Sequence, residues 1–303
     1  MDAPGEKKKK PGRPRKKADA QTLPTHGVCD MPSAEGVICE FACTDIEVVK
    51  KTIALQKTCN AIETEFYFAS DTFRVSSVGH SGKIELITTF DCAVLHRYYC
   101  KSPIAIKVTR VYLDKIIDNL NKTHDVVWFT LKEDYRRHIY CVLCNTARKS
   151  VKTCTIPTAY NGDPKVIPVV AEGYPLSFNL PSKELKANMT GLKSISPLLV
   201  IQKTGDGPLQ LTCESNQDVD WDETFFDGSP LGMHCTLGAD DIIRVTVFAD
   251  LVKSFAQHVI GPTTLLKVDQ VHPLILTSYV CVGERPAITV MAMVGLGSRA
   301  NTA

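Results

Sequence analysis

The chain has 303 residues, 44% of them hydrophobic, with 35 Lys/Arg against 33 Asp/Glu and a formal charge of +2. No apolar run approaches the roughly 20 residues of a membrane helix, so a membrane-spanning protein is not expected, and a charged N-terminus carries no sign of a secretory leader. Twelve cysteines without a repeating frame read as reduced thiols packed in strands rather than a disulfide scaffold. The near-neutral total conceals a split. Residues 1–20 hold eight cations (Lys7, Lys8, Lys9, Lys10, Arg13, Arg15, Lys16, Lys17) and three acids (Asp2, Glu6, Asp19), a net of +5; the remainder has 27 basic against 30 acidic residues, a net of −3. A uniformly basic body is thereby excluded, and any nucleic-acid contact it makes needs cations gathered on one face.

In chain order, residues 1–36 read as a disordered basic tail. Within it Gly12-Arg13-Pro14-Arg15 resembles an AT-hook, whose arginines lie in the narrow minor groove of A·T-rich DNA, where narrowing concentrates negative potential. The same run suits a nuclear-import signal or a plain basic arm. All three point to nucleic acid or the compartment that holds it.

The body is rich in Val, Ile and Thr, which favours strands. A strand at 37–44, a helix at 45–58 and strands at 61–69 and 73–78 are followed by a strand at 104–108, a helix at 110–122 and strands at 125–132 and 138–144. The same order then returns: strand 175–180, helix 182–194, strands 197–203 and 208–214, then strand 242–247, helix 250–259, strands 263–268 and 273–282. The pattern predicts an α+β chain of two similar domains, 37–154 and 174–294, each with two helices on mostly antiparallel strands. Residues 155–173, with Pro157, Pro164, Pro168 and Asn161-Gly162-Asp163, read as an exposed connector. Residues 295–303 read as a short tail.

The four helices share one design at 100° per residue. Ile46, Val48, Val49, Ile53 and Leu55 face inward on the first, with Lys50, Lys51 and Lys57 opposite and a capping box in Thr44-x-x-Glu47. Tyr112, Leu113, Ile116, Ile117 and Leu120 face inward on the second, Lys115 outward. Leu185, Met189 and Leu192 face inward on the third, Lys183, Lys186 and Lys193 outward. Leu251, Val252, Phe255 and Val259 face inward on the fourth, Lys253, Gln257 and His258 outward. Outward lysines are ordinary on any one amphipathic helix. Four such faces turned toward one cavity make it positive within a net-acidic body, a field that attracts phosphate without reading bases.

From about Glu40 to Val294 the layout resembles the sliding clamp of DNA replication, the proliferating cell nuclear antigen family. Val48-Val49-Lys50-Lys51 with Lys57 is similar to its first bore-lining helix. Arg97-Tyr98-Tyr99-Cys100-Lys101 through Leu113-Asp114-Lys115-Ile116-Ile117 is similar to the lead into its second. Val166-Ile167-Pro168 resembles the end of its interdomain connector, and Pro273-Leu274-Ile275-Leu276 the strand beside its partner pocket. The resemblance implies a homotrimeric ring of two-domain subunits around double-stranded DNA, with Lys50, Lys51, Lys57, Lys115, Lys186 and Lys253 near phosphates and Gly12, Arg13, Pro14 and Arg15 as a further DNA contact. It implies a pocket for clamp-binding peptides of DNA polymerase and other replication or repair proteins, formed by Val78, Ile84, Val166, Ile167, Pro168, Pro273, Val290 and Ala292. It also implies work in the nucleus or at a viral replication site, and the hook-like tail resembles the clamps of large DNA viruses. Departures from the family are Asp118, Gln257 and Met189 at positions often basic, Val290 where a tyrosine is usual, and no acidic C-terminal tail.

Ring closure would use edge strands; His138–Cys144 and the stretch 231–237 are the candidates. A monomeric or dimeric processivity factor, and an AT-hook architectural protein, are the alternative readings. No catalytic constellation, cofactor or metal site is expected. Cys141-x-x-Cys144 lies in a strand that sends its two thiols to opposite faces and lacks a second ligand pair; the acids around Trp221 read as a solvated loop; Gly79-His80-Ser81-Gly82 lacks the Lys-Ser/Thr ending of a phosphate loop. The chain reads as a non-enzyme.

Overall fold

The computed structural model describes residues 27–297 apart from 80–81, 121–122, 134–136, 162–163, 165–169, 171, 193–195, 214–220, 226–230 and 283–284. One run of elements occurs twice. The first is β1 (Val37–Cys43), α1 (Ile46–Thr58), β2 (Glu63–Phe68), β3 (Thr72–Gly79), β4 (Ile84–Asp91), β5 (Arg97–Cys100), β6 (Ile104–Thr109), α2 (Arg110–Asn119), β7 (Val126–Lys132), β8 (His138–Asn145) and β9 (Ser150–Asn161). The second is β10 (Leu176–Pro181), α3 (Ser182–Leu192), β11 (Leu198–Thr204), β12 (Leu209–Cys213), β13 (Trp221–Phe225), β14 (His234–Cys235), β15 (Ile242–Phe248), α4 (Ala249–His258), β16 (Thr263–Val268), β17 (Leu274–Val282) and β18 (Arg285–Val294).

The pairing repeats as well, and every pair of the named strands is antiparallel. β1 lies between β5 and β7, as β10 lies between β14 and β16. β2–β3–β4 is a meander, as is β11–β12–β13. β7–β8–β9 matches β16–β17–β18. The halves join where β18 pairs with β4, from Ile288↔Phe90 to Val294↔Ile84. That junction makes one 14-stranded sheet; β13, β12, β11 and β15 form a second.

Alternation sends one face of each strand inward. β8 shows it plainly, with Ile139, Cys141 and Leu143 buried between half-exposed neighbours. In the first half Phe41, Phe66, Phe73, Phe90 and Phe129, from five strands, pack ring on ring at centroid distances of 4.6–6.0 Å. Each such contact adds about 0.5–1.5 kcal/mol beyond burial, and together they bind the two arms of the folded sheet under α1. Gly79 is required by close approach: a Cβ there would lie 1.6 Å from the carbonyl oxygen of Cys59, just beyond α1.

Several expectations are corrected. The sequence pattern gives no strand at β4, β5, β9, β13 or β18. β9 continues to Asn161, so 155–161 is strand rather than connector. Pro157 does not break it: Thr158 N donates to Arg137 O at 2.7 Å on the β8 side, so by alternation the place of the missing proline N–H faces away from β8, where a strand tolerates it. β8 is no edge strand, since β7 and β9 flank it. Of 231–237 only His234–Cys235 is strand, paired with β10. Residues 27–36 are not loose tail: Cys29 N donates to Tyr98 O, Tyr98 N to Gly27 O and Ser33 N to a Glu40 carboxylate oxygen. At the other end Gly295 N donates to Lys83 O and Gly297 N to Thr246 O.

Candidate nucleic-acid interface

The helices form one layer. α3 packs beside α4, α4 beside α1 and α1 beside α2, so the two halves meet at α1–α4. Each helix rests on strands of its own half: α1 on β3, β4 and β7, α2 on β6 and β9, α3 on β10 and β16, and α4 on β15 and β18. The inward residues are those the period demands. Val48, Val49, Ile53 and Leu55 are buried on α1, Leu113 and Ile116 on α2, Leu185 and Met189 on α3, Leu251, Val252 and Phe255 on α4. Ile117 and Leu192 have side chains outside the described set.

The start of α1 differs from the capping box. Asp45 is the cap, its carboxylate accepting from Val48 N at 3.1 Å, and Glu47 instead lies 4.0 Å from Lys51. Gln56 was not foreseen. It is fully buried and donates to Val75 O at 3.4 Å and Thr88 Oγ1 at 3.5 Å, fastening the helix to β3 and β4.

Lys51, Lys57 and Lys186 come together around His258. Their fields lower the His258 pKa, although burial is the larger cause. Lys51 of α1, Lys183 and Lys186 of α3, and Gln257 of α4 line a groove of ≈ 490 Å³ at the seam between the halves. It is wide enough to admit a phosphate group, and cations enter it from two helices. Lys57 is partly committed, with Nζ 2.8 Å from Asp114 Oδ1 of α2. Lys115 is exposed, its Nζ 5.2 Å from the Tyr112 ring centroid. Lys50 and Lys253 are half-buried on the same layer, outside the groove. Gly12, Arg13, Pro14 and Arg15 lie outside the described residues. His258 carried no motif; only its place at the end of a helix bordering lysine-bearing helices marks it.

The opposite face of the long sheet carries a separate apolar patch. Ile87 of β4, Ile275 of β17 and Met293 of β18 are buried with Tyr174, and Met291 and Val170 pack against them. Ile87↔Met291 and Ile275↔Met293 are direct cross-strand pairs. Tyr174 Oη donates to Pro273 O at 2.9 Å. Here the sequence-based assignment had the wrong parity. Ile84, Val290 and Ala292 are fully buried in the main core on the helix side, so the expectation that they line a surface pocket is corrected. Of the other positions named for a pocket, Val78 is 41% exposed and Pro273 exposed on the described surface; Val166, Ile167 and Pro168 lie outside the described residues. β18 is apolar on both faces, with Ile288, Val290, Ala292 and Val294 on one and Met291 and Met293 on the other, so period 2 alone does not tell the two apart.

Among the described residues no three His, Cys, Asp or Glu side chains could hold a metal ion, and no helix is long and apolar enough to cross a membrane. Burial raises the Cys141 thiol, whose strand neighbour is Cys154, and desolvation also raises Cys39, Cys43 and Cys92. Neutral buried thiols are poor nucleophiles.

No protein-family model matches the chain. The structure is similar to Proliferating Cellular Nuclear Antigen from Entamoeba histolytica, with a TM-score of 0.70 over 86% of this chain and 100% of that one, at 12% identity. In sequence it is similar to an uncharacterized protein of African swine fever virus, 21% identical over 267 residues in the Tick/Malawi isolate, covering 81% of this chain and 85% of the relative. The proteins of the Pig/Kenya and Warthog/Namibia isolates match over the same shares at the same identity. The resemblance read from the sequence is thus borne out: the chain has the fold of proliferating cell nuclear antigen, and its sequence relatives are viral.

Proposed function

We propose that the chain is one subunit of a homotrimeric DNA sliding clamp that encircles duplex DNA and docks DNA polymerase and other proteins through short peptides. The observation that carries this reading is the unequal use of equivalent strands. In the repeat, β9 corresponds to β18 and β4 to β13. β18 and β4 pair with each other within the chain. Among the described residues, the outer edge of β9 from Ser150 to Pro157 and the outer edge of β13 pair with nothing. An open edge seeks a strand. Pairing β9 of one copy with β13 of the next repeats the β18–β4 junction between subunits, a head-to-tail arrangement that closes into a ring if its rotation allows.

In such a ring the helix layer faces the hole and the sheets form the wall. Lys51, Lys183 and Lys186, with Lys50, Lys57, Lys115 and Lys253, offer phosphates a diffuse positive field rather than a shaped site, which suits sliding. Clamp-binding peptides would lie on the outer patch of Ile87, Ile275, Met291 and Met293 with Val78 and Pro273. The clamp works as a tether and needs no chemistry or cofactor of its own. Its place of action is the site of viral DNA replication.

The test has two parts. In solution the protein should have about three times the 33.3 kDa mass of the chain. In primer extension on a long template with its cognate polymerase it should lengthen products, and Lys51→Glu with Lys186→Glu should cancel much of the gain. A 33 kDa species that still lengthens products would favour a processivity factor without a ring. A trimer that has no effect on product length and slides on no DNA would sink the reading.

A further inference from the structure

The twofold repeat fixes more than which strand edges stay open; it fixes the register in which they would meet. The bridge Val247↔Leu296 in the second half repeats the pair Val108↔Thr158 in the first. Thr158 therefore stands level with Leu296, and six residues back along each strand Lys152 stands level with Val290. Val108 and Val247 face Thr64 and Leu199, which sets Phe66 level with Ile201. Those two face Val75 and Leu211, which in turn face Thr88 and Glu223. Within the chain Val290 and Thr88 are a direct pair, both fully buried. Carried to the open edges, the same junction puts Lys152 of one copy directly opposite Glu223 of the next.

The local geometry suits a charge pair. Gly295 N donates to Lys83 O across the internal junction, so alternation makes Val290↔Thr88 a non-hydrogen-bonded pair. Thr158 N points to β8, and the same alternation puts Lys152 at a non-hydrogen-bonded site of the outer edge of β9. Facing residues at such sites have Cα atoms about 4.5 Å apart, and their side chains come closest. Both side chains lie on the helix side, and each is steadied by an asparagine. Lys152 Nζ donates to Asn119 Oδ1 at the end of α2; Glu223 Oε2 accepts from Asn188 Nδ2 of α3 at 2.6 Å. Lys152 is exposed and Glu223 half-buried. Desolvation, then the charge of Glu184 on α3, raises the Glu223 pKa. Among the described residues, the charge that acts on this carboxylate within the subunit is thus of its own sign.

We propose that Lys152 and Glu223 form an ion pair across the subunit interface and fix the register in which β9 of one copy pairs with β13 of the next. The proposal rests on the clamp reading for the ring itself. Only one register joins the two charges. A slip of two residues sets Lys152 against Phe225 or Trp221 and leaves Glu223 facing Cys154 or Ser150. The change of residue type from junction to edge has a physical reason. Val290 and Thr88 leave water as the chain folds, whereas solvent reaches their counterparts until a second copy arrives. Charge on an open edge keeps stray strands away, and opposite charges in register admit the right one.

Sedimentation equilibrium of the full chain without DNA tests the pair. Lys152→Glu sets two carboxylates face to face beside Glu184 and should weaken association at least about tenfold per interface. Glu223→Lys should do the same. The two together exchange the signs and should return assembly to within about threefold of the parent. Lys152 is exposed, so Lys152→Glu should melt with the parent. Should Glu223→Lys not fold, Glu223→Gln keeps an acceptor for Asn188 and removes the charge; with it present, Lys152→Glu should cost less than it does alone. If Lys152 only guarded the edge, the exchanged pair would assemble no better than the single variants. Single variants as tight as the parent, or a double variant as weak as they are, overturn the proposal. The two readings fail separately: a parent trimer without rescue sinks the ion pair and leaves the ring, whereas a parent that stays at 33.3 kDa sinks both.

Discussion

Two proline substitutions on β9 test ring closure at the level of single backbone groups. Thr158 N points toward β8; alternation therefore turns the N–H and C=O of Thr155 and Thr153 to the open edge. Both side chains are exposed. Thr153→Pro with Thr155→Pro removes two outward donors and leaves the β8–β9 ladder intact, and prolines are tolerated on such edges. Each inter-subunit bond removed costs about 0.5–1.5 kcal/mol, and each carbonyl left unpaired in the interface about 1–3 kcal/mol. Two bonds and two carbonyls come to roughly 3–9 kcal/mol per interface, at least about a 10²-fold loss in the association constant, before the clash of the rings with the incoming strand is counted. Sedimentation equilibrium at micromolar concentration should show the parent near three times 33.3 kDa and the double variant near one. Thr153→Val with Thr155→Val, which keeps both N–H groups, should remain assembled. Urea melts should show the double-proline subunit folded. If it assembles as tightly as the parent, β9 does not close the ring and the strand-equivalence reasoning is wrong.

Two further outcomes follow from the same geometry. Val290→Lys places a charge at a position with 0% exposure and should abolish cooperative folding, whereas Met291→Lys, one residue on and on the outer face, should melt within a few degrees of the parent but lose binding of a peptide with aromatic and aliphatic anchors; thermal melts and fluorescence polarisation separate the two, and equal behaviour would contradict the parity of β18. His258 has its pKa lowered by burial and then by Lys186, Lys51 and Lys57, with Asp114 also in play through its pair with Lys57. The unfolded chain therefore takes up this proton first, and stability should decline as pH falls below the unfolded value of about 6.5. A phosphate in the groove would offset those lysines and raise the His258 pKa, so duplex affinity should climb as pH drops from about 7 to 6. His258→Gln should flatten both profiles; a His258→Gln protein with the parent's pH dependence would refute the placement.

How much of this could be read from the sequence differs from one residue to the next. The helices are legible because 3.6-residue periodicity is local: Val49 and Ile53 fall inside and Lys50 and Lys51 outside whatever the rest of the chain does. The repeat is legible for the same reason, as an order of local patterns. The strands of the wall are less so. β18 is apolar on both faces because one side meets the helices and the other Ile87 and Ile275, and no count along the chain tells Val290 from Met291. Pro157 and the Asn161 turn signal masked the end of β9, since a proline's effect depends on whether its missing donor faces a neighbour.

Glu40 shows where local reading ends. In sequence it is an acid in the middle of an otherwise apolar strand; in space it is a buried charge held by Arg97, Ser33 and Trp128, which come from 57, 7 and 88 positions away. The amino-acid sequence by itself determined the four helices, the twofold order of strand and helix and the cationic side of each helix, because those depend on neighbours within a turn or a pleat. Only the tertiary structure decided which strand edges are spent within the chain and which stay open, which lysines converge on His258, and what holds the N-terminal arm. Those are pairings between residues far apart in the chain, and the chain must fold before their distances exist.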